Sequence, residues 1–598
     1  MTAVLERNSL LLAPDPEIVR DSPPVSTEVS RTRQAVSGQP LVDIAGLHIG
    51  FRHANGGAPV VRGIDLCLRA GECVALVGES GSGKSLTARS LLGLAGQYAQ
   101  VRASHFHING RDALKFGESE WRALRGTFAG LVMQDALVSL DPLRTIGAEI
   151  GEVLEHHRLL RTRREIKARV LQVMSEVGIP DPAQRIHQHA HELSGGLRQR
   201  ALIAAAVAGQ PALIIADEPT TALDVTVQVQ VLSVLKERLQ QGSGVLLVSH
   251  DLSVVADIAD RVLVMHGGVV VDSGSYDEVL RNPRHPYTRQ LLAARPSAAT
   301  RGYRLGAAHF EDDHANGQAE TRHIVREPLP PRHRDSSRTV LEVQGIGKRY
   351  RRSGRSRSSA GEHFTALADV SFSVGAGEVV GILGESGSGK STCANIVLGL
   401  LPPDTGTVQL LGNAWNGGAV HEHQRQALRT RLQYIPQDPL SSFDPRYTVR
   451  QLLEQSLFAR ALSRSQRTER AIQLLEQVGL SAAFLERRPA QLSGGQRQRI
   501  AIARALAPEP ALIVCDEPVS ALDMSVQAQV LDLLAQLQAQ LGTALLFISH
   551  DLEVVRHISD RVLVFKDGSL IEQGETIAVF DNPQHAYTRS LMSASRQT

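Results

Sequence analysis

The chain has 598 residues, 42% hydrophobic and 21% charged, and its 64 basic and 62 acidic side chains leave a net charge of +2. That length exceeds one hydrophobic core and predicts several domains, while the composition excludes a disordered or fibrous chain. The near-neutral balance argues against nucleic acid as the main ligand, no run reaches the roughly eighteen apolar residues of a bilayer span, and "MTAVLERNSLLLAPDPE" lacks a signal peptide's apolar core and cleavage site, so a cytoplasmic chain is expected.

Residues 1–40 carry "PDPE" and "SPPVS" without hydrophobic periodicity and read as a flexible tail. A first domain follows over 41–296. Within it "ECVALVG" (72–78) is an apolar strand and "KSLTARSLLGL" (84–94) has helical spacing. "ALIIAD" (212–217) and "GVLLVS" (244–249) are continuous apolar runs of strand length, as expected for a sheet covered on both faces. The alternation predicts an α/β domain with a mainly parallel sheet.

Between the first strand and its helix stands "GESGSGKS" (78–85), which fits G-x-x-x-x-G-K-[ST] in the strand–helix setting of a phosphate-binding loop. Its glycines Gly78, Gly81 and Gly83 permit positive φ, so that backbone N–H groups turn inward with Ser80 around phosphates. The helix N-terminus, continuing through Leu86, adds about half a positive charge. Lys84 is expected to reach the β and γ phosphates, and Ser85 to ligate Mg²⁺. At the end of the strand "ALIIAD", Asp217 is placed to hold Mg²⁺ through water, and Glu218 beyond it to polarise an attacking water.

Residues 297–339, polar and carrying "PLPP", read as a linker; as a flexible coil of about 40 residues it spans on the order of 35 Å. From 340 to 598 the first domain repeats at an offset close to 300 residues. "GESGSGKS" recurs at 384–391, "ELSGGLRQR" (192–200) returns as "QLSGGQRQR" (491–499), and "ALIIADEPTTALD" (212–224) as "ALIVCDEPVSALD" (511–523). "LLVSHDLSVV" (246–255) returns as "LFISHDLEVV" (546–555). Gly384, Ser386, Gly387, Gly389, Lys390, Ser391, Thr392, Asp516 and Glu517 therefore inherit the roles assigned to the first copy. Cys67, Cys73, Cys393 and Cys515 show no ligand-like pairing and read as reduced, buried thiols.

"LSGG" with "RQR", then "DEPTTALD" or "DEPVSALD", then "SHD", in that order after a phosphate loop, resembles ABC-type ATPase domains. The likeness covers nearly the whole chain except the tail and linker. It implies two tandem P-loop ATPase domains, each with a mainly parallel sheet core, a small antiparallel β region and a helical subdomain. It also implies that Gln134 and Gln437 are lid glutamines contacting Mg²⁺ and the attacking water. By the same likeness His250 and His550 are switch histidines at the γ-phosphate, and Asp224 and Asp523 belong to the loops that cross between domains.

In this family the segments Ser194–Gly195–Gly196 and Ser493–Gly494–Gly495 serve the nucleotide of the opposite domain. Two ATP sites would thus lie between the halves, which fusion keeps paired about a pseudo-twofold axis. Every deciding group is present twice, and only Leu197 against Gln496 differs within the signature neighbourhood, so both sites are expected to hydrolyse ATP. Phe51 and Tyr350 hold the place of the adenine-stacking aromatic, with a plain packing role as the alternative. The insertion "RRSGRSRSSAG" (351–361) reads as a solvated hairpin tip, with anionic lipid as the other possible contact.

The endings "NPRHPYTRQLLAA" (282–294) and "NPQHAYTRSLMSA" (582–594), together with "SLDP" and "SFDP" after the lid glutamines, resemble ATP-binding subunits of the peptide and nickel importer family. This implies uptake of di- or oligopeptides through two separate transmembrane permease subunits, fed by an external binding protein, with this chain peripheral on the cytoplasmic face of the membrane. The cysteine-bearing "C-x-F-x-x-R-C" segment of many members is missing after both endings, which leaves nickel or another small solute open as cargo. The rival class is a soluble tandem ABC ATPase acting on ribosomes or DNA. Its charged helical linker or clustered zinc-binding cysteines find no counterpart here.

Overall fold

The structure is a computed structural model describing residues 39–51, 59–134, 136–220, 223, 225–307, 309–312, 322–332, 334–351, 363–418, 420–458, 462–520 and 522–597. Most of the tail, Asp224 and the basic insertion beyond Arg351 lie outside the described residues.

The apolar runs form strands where their pattern places them. In the first half a six-stranded sheet has the order Val269–Ser275, Arg261–His266, Cys73–Gly78, Gly244–Val248, Leu213–Asp217, Ala129–Val132. All neighbours run parallel except the hairpin Arg261–His266/Val269–Ser275. Cys73–Gly78, Leu213–Asp217 and Gly244–Val248 are buried along their whole length, which explains why they are continuous apolar runs rather than alternating ones. The second half builds the same sheet: Ser569–Glu575, Arg561–Lys566, Val379–Leu383, Ala544–Ile548, Leu512–Asp516, Leu432–Ile435.

Parallel strands end on one edge, and that edge positions the chemistry. In the first half it presents the phosphate loop after Gly78, Asp217 at its own strand end, His250 just beyond Val248 and Gln134 just beyond Val132. Each half adds an antiparallel sheet, built on Val42–Phe51 in one and Asp335–Arg351 in the other. Helices Ile146–His156, Arg163–Glu176 and Gly195–Val207, and their counterparts Val449–Ser456, Arg464–Gln477 and Gly494–Leu506, form the helical regions. Thr162 caps the second of these with a Thr–Glu165 capping box, as Ser463 does with Gln466.

The connecting segment 297–339 departs from the flexible coil expected of its composition. Its described residues include a single helical turn at Ala298–Thr300 and an antiparallel pair His309–Asp312/Arg322–Val325. They also bind the second half closely. The N–H groups of Leu305 and Gly306 donate to Asp532 at 2.8 and 2.7 Å, Arg301 donates to the Arg556 carbonyl at 2.6 Å, and Arg332 pairs with Asp560 at 3.3 Å. Leu305 is buried in an apolar cluster shared by both halves. A polar sequence reads as solvated until its partners are known; here they are helix-end carbonyls and carboxylates of the other half. The second domain's first strand accordingly begins at Asp335, ahead of the expected boundary at 340. All four cysteines are free, and three are buried, whereas Cys67 is half-buried.

The connector also encloses His557, 3% exposed, whose Nδ1 lies 3.1 Å from the Thr300 hydroxyl. Burial, with Arg301, Arg332 and Arg326 around it, pushes this imidazole down to about 4. An unfolded chain titrates it near 6.5, so between these values the unfolded state binds the extra proton. Stability from the neutral ring is therefore complete above about pH 6.5 and is lost as pH falls toward 4, by at most ~3 kcal/mol. Thermal midpoints measured from pH 7 to 4.5 are expected to drop more steeply for the native chain than for His557→Gln. Parallel curves would show that the histidine is not enclosed as described.

Candidate active site

Both phosphate loops close on their own lysines. Lys84 is 6% exposed, and its Nζ donates to the carbonyls of Gly78 at 2.7 Å and Glu79 at 2.8 Å; Lys390 makes the same pair with Gly384 and Glu385, both at 2.7 Å. Burial lowers the Lys84 pKa, while the charges of Glu218, Asp523, Asp217 and Glu79 pull it back. The loop needs glycine at its mouth. Gly78 and Gly384 have φ of 141° and 147°, and a Cβ at either would run into the carbonyl of Met265 or Phe565. Ser80, Gly81, Gly83, Ser85 and Leu86 follow around the first loop, and Ser386, Gly387, Gly389, Ser391 and Thr392 around the second. Sequence reasoning passed over Ser82 and Ser388, whose hydroxyls are buried in these loops with no hydrogen-bond partner. A buried orphan hydroxyl costs about 1–3 kcal/mol, a deficit that suits a loop completed by an anion.

Near each lysine the next-but-one strand of the sheet delivers its carboxylates. Asp217 is wholly buried, accepts from the Ser85 hydroxyl at 2.7 Å and is reached by Arg89 at 3.3 Å. The second copy differs. Asp516 accepts from the Tyr434 hydroxyl at 3.3 Å, and burial with the adjoining Glu517 raises its pKa. Hydroxyl, carboxylate and the nearby glutamine amide form a hard-oxygen donor set, which fits Mg²⁺ held by Ser85, Asp217 and Gln134, and by Ser391, Asp516 and Gln437. When bound, that ion neutralises and orients the phosphate oxygens.

The glutamates just beyond these strands are each held by a glutamine and a histidine. Glu218 Oε2 accepts from Gln134 Nε2 at 2.7 Å, and its other oxygen lies 3.4 Å from His250 Nδ1. Glu517 has the same partners, Gln437 at 2.8 Å and His550 at 3.2 Å. Both glutamates sit at positive φ, 51° and 46°, a conformation that non-glycine residues seldom adopt. Such backbone costs on the order of 1–3 kcal/mol and is retained here where the strand ends on a functional carboxylate. Burial opposes a charge on both histidines, but the hydrogen bond and charge of their glutamates raise each above the ordinary imidazole value. Glutamine, glutamate and histidine thus form one row in each half.

Ser194 and Ser493 stand at the N-caps of helices Gly195–Val207 and Gly494–Leu506, where first-turn N–H groups have no intrahelical carbonyl partner. The Leu197/Gln496 difference has a structural effect. Gln496 closes a capping box with Ser493, the serine N–H donating to Gln496 Oε1 at 3.0 Å and its hydroxyl accepting from Gln496 N–H at 3.3 Å. Ser194, opposite Leu197, makes no side-chain cap. Gly195, Gly196, Gly494 and Gly495 leave the mouth of each helix bare, and a Cβ on Gly495 would strike Val526. Tyr350 is 42% exposed, while Phe51 is half-buried with its ring edge 3.5 Å from where a Cβ on Gly96 would sit.

The halves meet at this edge. The Ser80 N–H of the first phosphate loop donates to Asp523 of the second half at 3.4 Å, and the Asp523 charge is close enough to act on Lys84. A cavity of about 460 Å³ between the halves is lined by His250 and His550 and by Asp251 and Asp551. A second unforeseen feature is shared by both copies: the hydroxyls of Tyr287 and Tyr587 accept hydrogen bonds from the N–H groups of Glu79 and Glu385.

The ABC transporter profile matches this chain twice, at residues 61–221 and 367–520. The oligopeptide/dipeptide transporter C-terminal region matches at 271–309 and 571–597. The chain is 39% identical over 608 aligned positions, covering 93% of it and 98% of the relative, to the oligopeptide transport ATP-binding protein OppD of Mycobacterium tuberculosis. The chain belongs to the ABC transporter ATP-binding proteins of the oligopeptide/dipeptide transporter family. It is 40% identical to the peptidoglycan transport ATP-binding protein YejF of Agrobacterium fabrum, over 93% of the chain and 96% of that protein. It is also 40% identical to the glutathione import ATP-binding protein GsiA of Salmonella typhimurium, over 93% of the chain and 89% of that protein. The ABC chain is an ATPase of the kind that powers transport.

Glu218→Gln and Glu517→Gln are each expected to lower turnover at their own site by at least ~10³-fold, about 4 kcal/mol, while ATP is still bound. Single-turnover hydrolysis set against equilibrium ATP binding separates the two effects. The double variant is expected to hold ATP unhydrolysed.

Proposed function

We propose that this ABC chain is the ATP-hydrolysing subunit of a membrane importer of di- and oligopeptides, acting beneath two separate transmembrane permease subunits supplied by an external binding protein. The carrying observation is that each half ends in the oligopeptide/dipeptide transporter C-terminal region. The relatives' names add oligopeptide, peptidoglycan and glutathione cargoes, which favours peptidic solutes over nickel and over a ribosomal or DNA task. Among the described residues no helix is long and apolar enough to cross a membrane, which agrees with a peripheral subunit at the cytoplasmic face.

In the proposed cycle ATP binds between the halves, its phosphates in the loop of one half and against the signature serine of the other. Lys84 or Lys390 leaves its resting carbonyls for the β and γ phosphates. Glu218 or Glu517, held by its glutamine and histidine, takes a hydrogen bond from the attacking water and draws its proton as the water oxygen bonds to the γ-phosphorus and the bond from that phosphorus to the β,γ-bridging oxygen breaks, releasing ADP and phosphate. The histidine then stabilises charge gathering on the γ-phosphate. Both sites carry the full set, and both are assigned hydrolysis.

Gentle purification from the native membrane followed by mass spectrometry is expected to recover two multi-span proteins in stoichiometric amount. In the same cells, uptake of a labelled tripeptide is expected to stop in the Lys84→Ala/Lys390→Ala chain. Ribosomal proteins or nucleic acid in place of membrane partners would overturn the assignment.

A further inference from the structure

Each half ends in the same turn and helix, N-P-x-H-x-Y-T-R, and the chemistry above leaves it without a task. Its construction is closely matched in the two copies. Asp272 accepts from the N–H groups of Arg284 and His285 at 3.2 and 3.3 Å, as Glu572 does from Gln584 and His585 at 2.7 and 3.0 Å. His285 Nδ1 then accepts from the Tyr287 N–H at 3.2 Å, and His585 Nδ1 from the Tyr587 N–H at 3.1 Å. Arg289 and Arg589 close the turn on the carbonyls of Pro283 and Pro583, both at 3.2 Å. Three anchors hold the turn, and the turn aims a tyrosine.

The tyrosine reaches the phosphate loop. Tyr287 Oη accepts from the Glu79 N–H at 3.0 Å and Tyr587 Oη from the Glu385 N–H at 3.2 Å. The carbonyls of these same glutamates hold the Nζ of Lys84 and Lys390. One peptide residue thus joins the tyrosine on its N–H side to the phosphate-binding lysine on its carbonyl side. The Tyr287 ring, 9% exposed, packs on His266 with centroids 4.1 Å apart, and Lys566 lies over the Tyr587 ring at 4.9 Å. Burial, then the charges of Glu79 and Asp523, push the Tyr287 hydroxyl far above its ordinary value, so it remains a neutral acceptor. The influence of Asp523 places this hydroxyl at the seam where the first loop meets the second half.

We propose that Tyr287 and Tyr587 are positioning residues for ATP binding: each hydroxyl fixes the second residue of its phosphate loop, so that the loop and its lysine are set before nucleotide arrives. A preset loop loses less freedom on binding, which appears as affinity for ATP rather than as rate. The proposal rests on ATP binding alone and is independent of the cargo.

Tyr287→Phe, Tyr587→Phe and the double variant, made in the full chain, keep the packed ring and delete only the acceptor. KM for ATP is expected to rise about three- to tenfold in the double variant, with kcat within about twofold of the native chain. The thermal midpoint should stay within about 2 °C. Amide exchange in peptides spanning 78–86 and 384–392 should quicken at the same time. An unchanged KM would overturn the proposal. So would a KM that rises only together with a falling thermal midpoint, since that reports packing alone.

Discussion

A lysine ammonium buried against two carbonyls of its own loop, next to a strand that ends in two carboxylates, is the constraint on which each half is built. Neither group is stable alone in that setting, because an unpaired buried charge costs several kcal/mol. Lys84 answers Asp217 and Glu218 through space, and the loop carbonyls satisfy its donors directly. Holding these groups in reach requires strand ends on the same edge, one strand apart, which a parallel sheet provides. It also requires a loop mouth without side chains, which Gly78 and Gly384 provide. The strained φ of Glu218 and Glu517 is the residue of fitting a carboxylate into that corner.

The two halves repeat this core and vary its support. Asp217 leans on Arg89, whereas Asp516 leans on Tyr434. Ser493 is fixed by a capping box that Leu197 denies to Ser194. These differences spare every group assigned to hydrolysis and touch only the groups beside them. The connector is bound to the second half through Asp532, Arg556 and Asp560, and the halves meet where the Ser80 N–H faces Asp523.

Much of this was legible in the sequence. A strand read at 72–78 is observed at Cys73–Gly78, and the phosphate loop, Asp217 and His250 all follow the ends of the sheet strands while Ser194 caps a helix. The helix read over 84–94 ends at Ser90, since Gly93 turns left-handed at φ 66°. Composition hid the connector's order because a polar residue looks the same whether water or a carboxylate satisfies it. The Tyr287–Glu79 bond joins residues 208 positions apart, and no local pattern carries that information. The motif that supplies the tyrosine was visible as a family mark; its physical task appears only when the helix is seen docked beside the loop.

The most direct test of a site shared between halves is a cross-link at the seam. Ser80→Cys/Asp523→Cys, with a protease site engineered into the connector, is oxidised or bridged by a short bis-thiol reagent and then cleaved. The shared-site account predicts one full-length band on a denaturing gel, separating into two half-length bands on release of the cross-link. Two half-length bands before release would contradict it, for then each half would hold its nucleotide without the other.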